Sequence, residues 1–250
     1  MIEETFSHGS SLLHGQDCRG KIIAVVVFIG VVATTASYLT SGAALLVALL
    51  MVIWARLDLV TVVKRLLLVN SLTLLLWLIL PLTYGGADNL LLWDTVKISM
   101  AGVKTAGLIT LKTNAIVLYI VAFLTTSSVV EVNRGLQSLG LPDKLSFLLL
   151  FSSRHILVLV DEYQRLLRAA RMRNFSPATN LHTYKTYGYL FGMTLVKSWD
   201  KGEKIHEAML LRGFHGKFHS LKHPEMTSKD YLFLGCNLLI VLGLFSLNFM

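Results

Sequence analysis

Two short stretches of the sequence repeat one pattern around an arginine, a residue able to hold an anionic partner. Each reads Ala, three residues, Arg, a small turn-forming residue, then Phe, and the second follows the first by 39 residues. Asn and Gly tolerate the left-handed conformation that ends many helices, so each arginine is predicted in a last helical turn, where the helix dipole favours a cation. The members are Ala169, Met172, Arg173, Asn174 and Phe175 in the first stretch, and Ala208, Leu211, Arg212, Gly213 and Phe214 in the second.

Two long helical patterns lead to these arginines. Proline is tolerated in the first turn of a helix, so a helix is predicted to begin at Pro142 and to run to Arg173. Residues 174–180 form a turn, and a second helix is predicted from about Thr183 to Arg212. One copy of the pattern would be an ordinary helix end. Two copies with the same spacing favour two helices of common design, each presenting an arginine.

The composition is that of a membrane protein built from helices. Hydrophobic residues make up 54% of the chain and charged residues only 15%, with a mean hydropathy of +0.63. This composition is too apolar for an ordinary soluble domain. Several stretches approach the roughly 20 apolar residues that cross a bilayer as a helix. We therefore predict an all-α, polytopic membrane protein with about five transmembrane helices and two long cytoplasmic coupling helices.

The apolar stretches divide the chain into three predicted regions. Residues 1–126 form an N-terminal transmembrane region, residues 127–230 a cytoplasmic region with the two arginine-ended helices, and residues 231–250 a C-terminal transmembrane helix. The predicted spans are Ile22–Tyr38, Ala43–Ala55, Leu66–Leu80, Ala106–Thr126 and Tyr231–Phe249.

Basic residues indicate which side of the membrane each region occupies. Of the 23 Lys and Arg residues, 15 lie between Ser127 and Asp230, against nine acidic residues. Basic loops stay in the cytoplasm, so this region is predicted there, as is a short amphipathic piece flanked by Arg56 on one side and by Lys64 and Arg65 on the other. The third span is predicted to end at Pro81, before an outside loop. We expect a multi-pass protein of a bacterial inner membrane, with a cytoplasmic N-terminus, an outside C-terminus and no nucleic-acid partner.

The sequence lacks the common motifs of nucleotide hydrolysis and covalent catalysis. No GxxxxGK[ST], GxSxG or GxGxxG pattern occurs, so the chain is not expected to hydrolyse ATP itself. Cys18 and Cys236 lie far apart and form no CxxC pair, so they suggest neither a disulfide nor a metal site. We expect no catalytic residue, no cofactor and no bound metal in this chain.

Other polar residues suggest chemistry that simpler interpretations also explain. Asp161 and Glu162 could act as general acid and base, although Arg165 and Arg168 beside them favour a salt-bridged helix face. Three histidines at four-residue spacing could hold a metal on a continuous helix, but nearby glycines and a proline favour a polar connector. These histidines are His215, His219 and His223.

Lys112 and Asn114 lie inside a predicted span, where polar groups are candidates for a transport path. The simpler interpretation is that Lys112 packs against a polar neighbour or extends to the membrane surface. A self-contained channel would need polar residues along several spans, so these two give it little support.

With this span pattern and paired motif, the sequence resembles the transmembrane T component of energy-coupling-factor (ECF) transporters, in particular the cobalt/nickel branch (CbiQ type). The resemblance rests on Leu139–Pro142, on a long helix holding Arg154 and Glu162, and on two motifs like the Ala-Arg-Gly motifs of the family's coupling helices. The N-terminal segment 10–21 also resembles that branch. The resemblance covers most of the chain.

The two motifs depart from the family pattern at three positions. Met172 and Leu211 precede the arginines where the family has alanine, and Asn174 replaces a glycine. Asn is the next-best residue for a left-handed cap, so the backbone geometry is expected to survive. Arg173 and Arg212 are both retained.

The resemblance implies a non-catalytic subunit of a multi-subunit importer for cobalt or nickel. Two ATP-binding-cassette (ABC) ATPase subunits and a membrane-embedded, metal-binding S component of the CbiM type are the implied partners, with a small accessory membrane subunit as a further candidate. Arg173 would engage one ATPase and Arg212 the other, with Phe175 and Phe214 as apolar anchors. The alternatives are a T component of a vitamin importer and a polytopic membrane enzyme whose site is Asp161, Glu162 and the histidines.

Overall fold

The chain folds almost entirely into helices, as its composition predicts. The computed structural model describes residues 16–55, 57–83, 89–93, 96–214 and 227–248. Within these ranges the chain forms eight helices and one pair of short antiparallel strands. The all-α prediction is confirmed apart from those two strands. The elements are α1 Cys18–Thr34, α2 Tyr38–Trp54, α3 Leu59–Thr83, β1 Asn89–Trp93, β2 Val96–Ser99, α4 Met100–Leu124, α5 Val129–Ser138, α6 Asp143–Met172, α7 Leu181–Leu211 and α8 Ser228–Ser246.

The elements belong to two compact units whose boundary falls within α5. The core unit lies within Glu4–Gly135 and Pro224–Met250, and the hairpin unit lies within Leu136–His223. The core unit therefore contains the apolar helices, and the hairpin unit contains α6 and α7, which end in the paired motif.

A buried aromatic stack holds α1, α4 and α8 together in the core unit. The ring of Phe28 stacks on Tyr119 at a centroid distance of 3.8 Å, and Tyr119 stacks on Phe123 at 4.4 Å. Phe233 packs against Phe123 at 5.8 Å. The Tyr119 hydroxyl donates to Oδ1 of Asn237 at 3.0 Å, which satisfies the one polar atom that this stack buries.

Among the described residues of the core unit, two helices are long and apolar enough to cross a membrane. Helices α3 and α4 have 25 residues each, and a helix of that length rises about 38 Å, more than the roughly 30 Å of a bilayer's hydrocarbon core. Two further apolar segments are shorter, at Tyr38–Trp54 and Asp230–Ser246. The number of five spans stays a prediction.

The third apolar helix begins earlier and ends later than predicted. The Thr61 N–H donates to the Asp58 carbonyl at 3.1 Å and the Thr61 hydroxyl donates to its carboxylate at 3.0 Å, so α3 starts just after Asp58. Lys64 and Arg65 therefore lie inside α3, and the prediction of a separate amphipathic piece is wrong. Pro81 stands inside the last turn of α3 and does not end it. The helix continues for two more residues, to Thr83.

The two helices of the hairpin unit begin close to their predicted positions. Pro142 is the N-cap of α6, which confirms the helix start predicted there. The side chain of Asn180 caps α7 by accepting from the N–H of Thr183 at 2.9 Å. The helices have 30 and 31 residues, so each is about 45 Å long.

Candidate functional site

The first arginine closes α6 in a fixed geometry. Asn174 has a φ of 66°, in the left-handed region. Its N–H donates to the carbonyl of Arg171 at 3.1 Å, and the N–H of Phe175 donates to the carbonyl of Ala170 at 3.1 Å. These two bonds form a Schellman motif, which satisfies the last carbonyls of a helix. Arg173 is the C-cap residue, with φ −91° and ψ 26°, so its side chain leaves a well-ordered helix end.

The second arginine closes α7 with the same set of bonds. Gly213 has a φ of 78°, and its N–H donates to the carbonyl of Leu210 at 2.9 Å. The N–H of Phe214 donates to the carbonyl of Met209 at 3.0 Å, and Arg212 is the C-cap residue. The left-handed conformation predicted at both turn-forming residues is confirmed. The repeated sequence pattern therefore builds two copies of one local structure, which we call the arginine caps.

Contacts between α6 and α7 put the two arginine caps at opposite ends of an antiparallel helix pair. Near the start of α6, the Phe147 ring lies 6.0 Å from the ring of Phe214, which follows α7. Near the middle of both helices, Nζ of Lys197 donates to Oε1 of Glu162 at 2.5 Å. The start of α6 therefore lies beside the end of α7, so the two helices are antiparallel. The caps are separated by about one helix length, roughly 45 Å.

Each arginine cap exposes its charge together with one large apolar side chain. Arg173 and Arg212 are exposed. Met172 and Leu211, directly before them, are 83% and 90% exposed. A partner that contacts either cap therefore meets a guanidinium group and a bare hydrophobic side chain side by side. The remaining motif members are the half-buried Ala169 and the exposed Ala208.

The phenylalanines of the motif are held by the chain's own helices. Phe175 meets the ring of Tyr187 edge-on at 5.6 Å, across the turn between α6 and α7. Phe214 packs near Phe147 at the other end of the pair. Both rings are partly buried and close the two ends of the hairpin. Their predicted role as apolar anchors for a partner stays a prediction.

The acidic pair on α6 contributes to an ion-pair network between the two helices. Glu162 binds Lys197 at 2.5 Å and lies 3.5 Å from Nη1 of Arg165, one turn along α6. The hydrogen bond from Lys197 lowers the pKa of Glu162 below its ordinary value, so this carboxylate is charged and unsuited to donate a proton near neutral pH. The prediction of a salt-bridged face is confirmed for Glu162 and Arg165. Asp161 is exposed beside them.

The histidines considered as metal ligands, His215, His219 and His223, lie outside the described residues. Within the described ranges, no group of three or more His, Cys, Asp or Glu side chains is arranged to hold a metal ion.

Comparison with known proteins identifies the family. Residues 9–224 match the model of the CbiQ family, described as cobalt transport protein. The chain belongs to this family. The match spans α1 to α7, so it includes both arginine caps. The predicted resemblance to T components of ECF transporters, cobalt/nickel branch, is thereby confirmed.

Two of three relatives of this cobalt transport family member carry the names of transporter components. The energy-coupling factor transporter transmembrane protein EcfT of Listeria innocua is 24% identical over 226 residues, 86% of this chain and 85% of the relative. The nickel permease LarQ of Lactiplantibacillus plantarum is 27% identical over 135 residues, 54% of this chain and 49% of the relative. An uncharacterized protein of Methanocaldococcus jannaschii is 31% identical over 107 residues, 43% of this chain but only 40% of that relative. These names agree with a membrane-embedded transporter subunit rather than an enzyme.

In this T component, the polar residues of α4 that suggested a transport path connect helices to one another. Nζ of Lys112 donates to the carbonyl of Ala33 at the end of α1, at 3.0 Å. Nδ2 of Asn114 donates to Oδ1 of Asn70 on α3 at 3.0 Å. The simpler interpretation, that Lys112 packs against a polar neighbour, is confirmed.

The lysine at the start of α1 is buried, which its position just before a predicted span did not indicate. Lys21 is only 1% exposed. Its Nζ donates to Oγ of Ser127 at 2.9 Å and to Oγ1 of Thr126 at 3.4 Å. The lysine thus ties α1 to the segment between α4 and α5. The run of hydroxyl residues at 125–128 was the signal for a buried donor nearby.

Helix α5 ends in the same backbone motif without an arginine. Gly140 has a φ of 108°. Its N–H donates to the carbonyl of Gln137 at 3.2 Å, and the N–H of Leu141 donates to the carbonyl of Leu136 at 3.0 Å. Leu139 stands where the other two caps have arginine. The backbone cap alone is therefore not the functional signal, and the arginine is what sets α6 and α7 apart.

Proposed function

We propose that this chain is the coupling subunit of an importer for cobalt or nickel ions. It passes ATP-driven movement from two ABC ATPase subunits to a membrane-embedded substrate-binding subunit. The observation that carries the proposal is the pair of matching arginine caps at opposite ends of one helix pair. Two equivalent tips about 45 Å apart suit two equivalent receptor sites on separate subunits.

The chemistry of each arginine cap suits a directional joint. Arginine is permanently charged and planar, and it holds a carboxylate through two parallel hydrogen bonds. The Schellman bonds fix the backbone from which each side chain leaves. In this arrangement Arg173 engages one ATPase and Arg212 the other, each as a helix end in a groove.

The hairpin can transmit a displacement because its helices are joined along their length. The Glu162–Lys197 ion pair links their middles, and Phe175 and Phe214 close the two ends. Movement of one cap therefore moves the partner helix as well. The coupling helices and the N-terminus face the cytoplasm in this proposal, and the C-terminus lies outside.

The cargo is proposed from the family description and from the relative named as a nickel permease. The S component, of the metal-binding CbiM type, holds the ion, and this chain holds none. Uptake of a vitamin instead of cobalt or nickel by the assembled transporter would overturn the cargo assignment and leave the coupling role standing.

The test compares arginine variants in the assembled transporter, reconstituted in liposomes with its ATPases and S component. We expect Arg173→Ala or Arg212→Ala to weaken ATPase binding roughly tenfold to a hundredfold, since a hydrogen bond between charged groups contributes about 1.5–3 kcal/mol. Metal uptake and transport-linked ATP hydrolysis should fall in parallel. Arg168→Ala removes another exposed arginine of α6, about one turn before the cap, and as the matched control it should behave as wild type.

The double variant Arg173→Ala, Arg212→Ala tests whether the arginine caps are needed for coupling. It should insert into the membrane and fold normally, because both side chains are exposed. Wild-type uptake of cobalt or nickel by a complex carrying both changes would refute the coupling role of the arginine caps.

A further inference from the structure

The two most exposed large hydrophobic side chains of the described residues occupy the same position in the two arginine caps. Met172 is 83% exposed and Leu211 is 90% exposed, and each stands directly before the C-cap arginine. Equivalent placement at two distant helix ends is not expected of scattered surface residues.

The fold itself gains little from these two side chains. Side chains this exposed bury almost no apolar area in the isolated chain, so they add little hydrophobic stabilisation. Alanine is the best helix former and would serve the last helical position at least as well. The fold therefore does not account for the size of Met172 and Leu211.

Each side chain is an apolar group that stands above polar residues on its own face of the helix. The residues four and eight positions earlier share its face of the helix. For Leu211 these are Glu207 and Glu203, both exposed acids. Association with a membrane surface needs a continuous apolar face and is favoured by basic residues. A single apolar side chain above two acids fits a protein pocket instead.

The other cap has the same arrangement with different polar residues. Below Met172 on its helix face stand Arg168 and Gln164, both exposed. Each cap thus combines a strongly exposed apolar side chain with the guanidinium group of its C-cap arginine, and in the second cap Leu210, 53% exposed, lies beside Leu211. The complementary surface on a partner is an apolar pocket beside a carboxylate.

We propose that Met172 and Leu211 each insert into an apolar pocket beside the carboxylate that binds the neighbouring arginine, and that their size determines which ATPase subunits the chain accepts. This rests on the proposed coupling function. Hydrophobic pockets discriminate through the volume they fill, so the side chain supplies selectivity while the arginine supplies the directional bond.

The test measures the affinity of the full-length, detergent-solubilised chain for the purified ATPase subunits of its transporter. Met172→Ala and Leu211→Ala should each weaken binding roughly tenfold or more, which corresponds to losing a buried side chain of that size. Leu195→Ala removes another exposed leucine, 71% exposed, from the middle of α7 and should leave the affinity unchanged. Because all three side chains are exposed, the melting temperature should stay at the wild-type value.

The results separate this inference from the proposed function. If Met172→Ala and Leu211→Ala bind as wild type while the arginine variants lose affinity, the apolar insertion is refuted and the coupling role stands. If the arginine variants also bind as wild type, the proposed function fails.

A fluorescent label distinguishes a protein pocket from a lipid surface. A polarity-sensitive dye is attached to Leu211→Cys in a Cys236→Ser background, in lipid nanodiscs. Its emission should shift to the blue only when the ATPase subunits are added. A blue-shifted emission before their addition would mean that lipid already covers this side chain, which overturns the proposal.

Discussion

The glycine at the end of α7 gives the sharpest test of the cap geometry. Gly213 has a φ of 78°, and nothing lies within 4 Å of the position that a Cβ atom would take. The change Gly213→Ala therefore creates no clash, and its whole effect comes from forcing an L-residue into the left-handed region. That conformation costs about 1–2 kcal/mol.

A second glycine of the same helix provides the matched control. Gly202 also has open space around its missing Cβ, but its φ lies outside the left-handed range. The change Gly202→Ala should therefore stabilise α7 by about 0.5–1 kcal/mol, because alanine is the better helix former. The same substitution in the same helix thus has opposite signs at the two positions. Gly213→Asn should destabilise the cap less than Gly213→Ala does, since Asn174 already adopts a φ of 66° in the first cap.

Hydrogen exchange at the cap measures the effect where it arises. The N–H groups of Gly213 and Phe214 make the two Schellman bonds. A loss of about 1–2 kcal/mol raises the population of the open cap by about fivefold to thirtyfold, and exchange at these amides should accelerate by that factor. Wild-type exchange rates in Gly213→Ala, or an equal acceleration in Gly202→Ala, would refute the assignment of the left-handed cap.

Two further predictions concern charged groups in each unit. Ser127→Ala should lower the free energy of unfolding by about 1–3 kcal/mol, because the buried Lys21 ammonium keeps only its 3.4 Å contact with Thr126. In chemical denaturation, Lys21→Met with Ser127→Ala should be more stable than Ser127→Ala alone, and the reverse order would contradict the role of the buried charge. Glu162 has a lowered pKa, so its pairing with Lys197 stabilises the fold above the ordinary pKa of a glutamate and is lost as the pH falls through the lowered value. Melting temperatures between pH 7 and about pH 3 should therefore fall more for wild type than for Glu162→Gln, and parallel curves would count against the ion pair.

The arginine caps could be predicted from the sequence because a helix end is a local structure. The preference of Asn and Gly for the left-handed region acts within one turn and needs no distant partner. For that reason the left-handed positions of Asn174 and Gly213 follow from residue type and order alone. The start of α6 at Pro142 is local in the same sense, since the fixed φ of proline suits the beginning of a helix.

The contacts between distant residues could not be predicted in this way. The pairing of Glu162 with Lys197 depends on how α6 and α7 align, and their sequence separation does not determine that alignment. The contact of Phe214 with Phe147 could not be predicted because nearly all of α6 and all of α7 lie between them in the chain. The burial of Lys21 could not be predicted because its hydroxyl partner, Ser127, lies more than 100 residues later in the chain.

The three helix ends that share the Schellman bonds separate what the backbone contributes from what the side chains contribute. Since α5 ends with the same bonds but presents Leu139, the motif supplies order without supplying recognition. At the end of α7 the two properties can be changed independently. Gly213→Ala disorders the cap and leaves its chemistry intact, whereas Arg212→Ala or Leu211→Ala removes chemistry from an ordered cap. If coupling requires a fixed guanidinium group, the glycine variant should lose transport along with cap order even though every side chain that we propose to contact an ATPase is still present.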